Sequence, residues 1–70
     1  MIGKLVKISR YAEAFWVRDV REFEPGLFVG VVDNELSPSN PYKLGDLVPF
    51  VEREVREVMD HPKPALSVVP

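Results

Sequence analysis

The stretch Glu13-Ala14-Phe15-Trp16-Val17-Arg18-Asp19-Val20-Arg21-Glu22-Phe23 decides how the rest of this 70-residue chain is read. Apolar and polar residues alternate along much of it. In an extended chain successive side chains point to opposite faces, so the stretch reads as a long strand. Phe15 and Val17 then share one face, and Trp16, Arg18 and Val20 share the other. Alternation leaves open which of the two faces is core, and a lone Trp in so short a chain favours a partly buried Trp16. Glu24-Pro25-Gly26 follows as a turn, because Pro presets one dihedral and Gly tolerates positive φ. Leu27 to Asp33 is the returning strand of an antiparallel hairpin. Gly30 in its middle predicts a bend, a bulge or close approach by Trp16 or another ring.

Working outward, Lys4 to Arg10 is a further strand, with Val6 and Ile8 on one side and Lys7 and Ser9 on the other. Asn34 to Lys43 is a loop held extended by Pro38 and Pro41. Leu44-Gly45-Asp46 turns the chain into a short strand, Leu47 to Phe50. Pro49 cannot donate to a ladder, which puts that strand at an edge. Val51 to Asp60 reads as a helix: Val51, Val55, Val58 and Met59 follow a helical stripe, and Glu52 and Arg56 form an i, i+4 pair. His61-Pro62 stops it, and Ala65 to Val69 is a last strand or a loose tail. The predicted fold is α+β, mostly β: one domain over residues 1–70, a small bent antiparallel sheet or SH3/OB-like half-barrel with one C-terminal helix.

Composition narrows the chemistry. Hydrophobic residues make up 46% and charged residues 29%, ordinary globular values. Cysteine is absent, which excludes disulfides, thiolate metal sites and a cysteine nucleophile. The net charge is -2, with a pI near 5.3, against the basic footprint of non-specific nucleic-acid binding. The charges are segregated. Lys4, Lys7, Arg10, Arg18 and Arg21 crowd the first third, and most acids lie after it. The two parts either pair with each other on folding or leave a sided surface that orients a partner. The start has no apolar signal core and no run approaches a membrane span, so the expected compartment is the cytoplasm.

Three stretches taken in order, Glu13-Ala14-Phe15-Trp16-Val17, Gly30-Val31-Val32-Asp33-Asn34-Glu35 and Leu44-Gly45-Asp46-Leu47-Val48-Pro49-Phe50 running into Val55 and Met59, resemble the YegJ-like family of small bacterial domains of unknown function. The resemblance covers about residues 4–60. It implies a Phe-Trp-Val strand, a strand opened by Gly30, a Gly-Asp turn and a short helix after Phe50. That family has no established activity, so the resemblance implies a fold and no function.

For catalysis the sequence offers four serines and one base, His61, without a nucleophile elbow; capping a helix end is the plainer role for His61. Asp33, Glu35 and Asp46 form a thin candidate set for a hard cation, and their place at a strand end fits local backbone bonding better. No catalytic residue, cofactor or metal ligand is assigned. The expected function is a non-enzymatic protein-binding module: a regulator, an immunity-type protein or a phage or mobile-element inhibitor. Its partner is another protein, or a further copy of itself. The partner-binding candidates are Trp16, Arg18, Asn34, Glu35 and Tyr42. An Arg beside a Trp is interface composition, and Tyr42 rides on a loop long for so small a chain. Tyr42 has a second reading, in which its ring folds back over the barrel mouth. The rival functions are a nucleic-acid-binding small barrel, using Lys4, Lys7, Arg10, Arg18 and Arg21 with Trp16 and Tyr11, and a small enzyme or metal-binding domain.

Overall fold

The computed structural model describes residues 1–60. Five strands, β1 (Leu5–Arg10), β2 (Glu13–Glu24), β3 (Leu27–Val32), β4 (Leu47–Val51) and β5 (Val55–Met59), form one antiparallel sheet in the order β4-β3-β2-β1-β5. The first four make a meander, and β5 returns to the far side of β1, pairing Leu5 with Met59 and Ile8 with Val55. β4 lies at an edge, as Pro49 requires.

The helix expected over Val51 to Asp60 does not form. Val51 ends β4, Glu52–Glu54 make one 3-10 turn, and Val55–Met59 are β5. The short helix that the YegJ-like resemblance implies after Phe50 does not form either; only the three-residue 3-10 turn stands there. Two physical terms override the helical stripe. Val51, Val55 and Val58 are β-branched and lose side-chain freedom in a helix, whereas a free edge of β1 offers a full ladder to an extended segment. The stripe also fails as a buried face, since Val58 and Met59 are each 44% exposed. His61 and the expected strand or tail at Ala65 to Val69 lie outside the described residues.

The core is the concave face of the sheet. Val6 and Ile8 of β1, Phe15, Val17 and Val20 of β2, Val32 of β3, and Val48 and Phe50 of β4 form one buried cluster, with Phe28, Leu36, Tyr42 and Val55 packed against it. Phe28 stacks on Phe50 with ring centres 5.8 Å apart. Val20 corrects the simple alternation, which puts it outside with Trp16 and Arg18. Asp19 has φ 53°, and the pairing of β2 with β3 shifts between Arg18 and Arg21. This bulge inserts one residue, turns Val20 inward and bends the strand. Gly30 makes room for it. A Cβ there would stand 3.1 Å from the Arg18 carbonyl oxygen and 3.2 Å from both Val17 Cβ and Val20 Cγ2. The close approach read from Gly30 is therefore made by the β2 bulge and not by Trp16.

The β1–β2 hairpin turns on Tyr11 and Ala12, at φ 58° and 59°. Two consecutive left-handed residues match the right-handed twist of the strands, but the conformation favours Asn and Gly. Ala12→Gly is expected to raise stability by about 1 kcal/mol in a denaturant titration, by removing the Cβ penalty. Gly30→Ala is expected to lower it by about 1–2 kcal/mol, because the added methyl meets backbone on one side and packed side chains on the other.

Candidate interaction surface

The convex face of the sheet carries the other half of the alternation. Lys7 on β1 stands opposite Trp16 on β2, and Arg18 stands opposite Val31 on β3, which in turn faces Leu47 on β4. The Lys7 ammonium lies 5.7 Å from the Trp16 ring centre, a cation over an aromatic face. Trp16 is half-buried and Leu47 is 61% exposed. The Arg18 guanidinium donates to Asp33 at 3.1 Å and to Asp19 at 2.6 Å, so its charge is largely met within the chain. The strip is an aromatic ring edged by Lys7 and joined through Arg18 to a small aliphatic ledge.

Asn34 belongs to the support of this strip. Its Oδ1 accepts the Trp16 amide at 2.6 Å, and the Asp33 amide donates to the Trp16 carbonyl at 2.9 Å. β3 ends at Val32, and the Asn34 side chain takes over where the next ladder bond to β2 would fall. Both the N–H and the C=O of Trp16 are thereby held on the β3 side.

Tyr42 is elsewhere. Glu13 at the head of β2 accepts the Ser37 amide at 3.0 Å and the Asn40 side-chain amide at 3.1 Å. Asn40 is 3% exposed and its Oδ1 accepts the Tyr42 amide at 3.0 Å. These bonds fold the loop down, and the Tyr42 ring packs against the core cluster at the concave end. This is the fold-back reading of Tyr42. Glu35 and Tyr42 line a shallow depression of about 240 Å³, together with Leu36, Asn40 and Leu44. Of the five candidates, Trp16 and Arg18 share the convex face, Asn34 braces it, and Glu35 and Tyr42 face the loop depression. Lys7, Val31 and Leu47 were not among them. Their signal is the alternation itself, since each lies next to a residue that the same pattern sends to the core.

A second polar cluster closes the concave end. Arg10 donates from Nε and Nη2 to both oxygens of Glu54, each at 2.8 Å, and from Nη2 to the Pro49 carbonyl at 2.7 Å. Its guanidinium also lies 5.9 Å from the Tyr42 ring centre, and Tyr11 tilts against Tyr42 at 6.3 Å. The Arg10 hydrogen bonds hold the Glu54 carboxyl below its ordinary value; burial opposes this, and the Val51 amide adds to it. Arg10 itself is pushed up by Glu54. Together with Lys4–Asp60 and Arg18–Asp33, this ion pair joins the basic first third of the chain to the acidic remainder.

Two of the three carboxylates considered for a cation are engaged within the chain: Asp33 with Arg18, and Asp46 with the Lys43 amide at 2.9 Å. Among the described residues no three His, Cys, Asp or Glu side chains are grouped to hold a metal ion, and no helix is long and apolar enough to cross a membrane. No family model, curated protein or solved structure matches the chain.

The Glu54 carboxyl sets an acid limit. Because folding depresses its pKa, its stabilisation is complete above the ordinary carboxylate value of 4.5 and is lost as pH falls through the folded value. Glu54→Gln is expected to lose about 1–2 kcal/mol at neutral pH, less than a fully buried pair because both side chains keep some exposure. Thermal melts between pH 7 and pH 3 check the sign: the gap between wild type and variant should narrow on acidification.

Proposed function

We propose that this domain is a non-enzymatic protein-binding module, built as a bent half-barrel and working in the cytoplasm as a regulator, an immunity-type protein or an inhibitor carried by a phage or mobile element. Among small barrels the SH3-like kind is favoured over the OB-like kind by the four-strand meander, the 3-10 turn and the return of β5 beside β1. The ordered motifs shared with the YegJ-like family are part of the same proposal.

One observation carries the reading: Trp16, half-buried and braced by Asn34, sits on a sheet face with Lys7 over its ring and Arg18, Val31 and Leu47 beside it. A rigid aromatic next to an Arg and exposed aliphatics is how interface anchors are built. A sheet fixes such a set more firmly than a loop does. A second reading, single-stranded nucleic acid stacking on Trp16, draws on the same ring and on Lys7. The net charge of -2 and the internal neutralisation of Arg18 by Asp19 and Asp33 favour a protein partner.

A photo-crosslinking residue at Leu47, used in the native cell, tests the proposal. A protease-sensitive adduct should form, and Trp16→Ala should reduce it at least tenfold, as loss of an anchor worth about 2 kcal/mol would. The melting midpoint of that variant should stay within a few degrees of wild type, since the ring is outside the core. A nuclease-sensitive adduct would transfer the reading to nucleic acid, and an adduct indifferent to Trp16→Ala would remove this face from consideration.

A further inference from the structure

The sheet is open, and its two edges are treated differently. At the β4 edge the central residue is Pro49, which has no N–H, and its carbonyl is taken by Arg10 at 2.7 Å. That edge is blocked to an added strand in both its donor and its acceptor. The β5 edge carries no proline. Among the described residues no side chain bonds to the backbone of Val55–Met59, and every residue from Arg56 to Met59 is exposed. On the β1 side, pairing skips Arg56 between Ile8–Val55 and Lys7–Glu57, so the regular part of the free edge begins at Glu57.

We propose that the β5 edge pairs with the β5 edge of a second copy of this chain, antiparallel and centred on Val58. The charge pattern argues for this occupant. Two identical antiparallel strands that continue one sheet are related by a two-fold axis normal to it, so one residue faces itself. With Val58 on the axis, Glu57 faces Met59, and Arg56 and Asp60, which flank this regular stretch, come next to each other across it. Opposite charges then meet at both ends of the pairing, and two half-exposed valines meet at its middle. Centring on Arg56 or Glu57 sets like charges face to face, and centring on Met59 sets Val58 against the Asp60 carboxylate. Centring on Val55 requires Arg53 and Glu54 in a strand, whereas they form the 3-10 turn and Glu54 is held by Arg10. Asp60 is suited to the pairing. Lys4 occupies its Oδ1, holding the carboxylate ionised and below its usual range and leaving Oδ2 for the partner's guanidinium.

So short an edge buries less than the roughly 1,200 Å² of a standard interface, so association is weak and reversible. It adds stability to a small core by mass action as concentration rises. Sedimentation equilibrium from about 10 μM to about 1 mM reads it directly, the range in which so weak a complex dissociates. The mass should climb toward twice the monomer. Arg56→Asp should weaken association at least tenfold without moving the melting midpoint of dilute protein, and adding Asp60→Arg to it should restore most of the loss. Val58→Lys should be monomeric throughout. A wild-type chain monomeric at every concentration, or Arg56→Asp associating like wild type, overturns the proposal. So does loss of association in Trp16→Ala with Arg56→Asp unaffected, which would move self-association to the convex face.

Discussion

The bulge at Asp19, seated against Gly30, is the constraint on which the sheet depends. A strand of twelve residues in strict alternation would send Val20 to solvent and run flat past the end of β1. The inserted residue brings Phe15, Val17 and Val20 onto the concave side and bends β2 over them. The absence of a side chain at Gly30 lets that bent backbone settle on β3. A single sheet then encloses a core without a second layer. The large residues Phe15 and Phe50 fill it among five valines, whose branched side chains suit a pleated surface.

Closure at the other end is made by side chains. Arg10 at the tip of β1 reaches the Pro49 carbonyl of β4 and the carboxylate of Glu54 in the 3-10 turn, joining parts of the sheet that share no ladder. Tyr42 lies over the same guanidinium. Core formation and charge pairing are thus coupled at one residue. On the convex face, Trp16, Lys7 and Leu47 take no part in either, and Arg18 makes its own pairs with Asp19 and Asp33.

Much of this was legible in the residues. Alternation and turn chemistry place the first four strands within a residue or so, and put Phe15 with Val17 on one face and Trp16 with Arg18 on the other; which face is core is not decided by alternation alone. What alternation cannot reveal is a phase slip at a residue such as Asp19, which carries no glycine signal, so alternation puts Val20 on the wrong face. The helix expected over Val51 to Asp60 fails for a different reason. Its period is helical, but its fate is decided by partners distant in sequence: Arg10 for Glu54, and the β1 edge for Val55–Met59. Loop length and composition leave Tyr42 two readings, an interface ring or one folded back; Glu13 and Asn40 fold the loop so that the ring packs against the core. Only the pairing across twenty-odd residues makes this visible.

The pairing of β1 with β5 also bears on how the chain assembles as it leaves the ribosome. Each neighbour in the meander is joined by a local connection, whereas Leu5 meets Met59 across nearly all of the described chain. Loop-closure entropy grows with the logarithm of the separation, so the meander closes at lower entropic cost than the β1–β5 ladder. During synthesis the residues of β1 to β4 emerge before those of β5. A nascent chain can therefore hold its first hairpins while the outer edge of β1 stands unpaired and Arg10 has no Glu54 to close on.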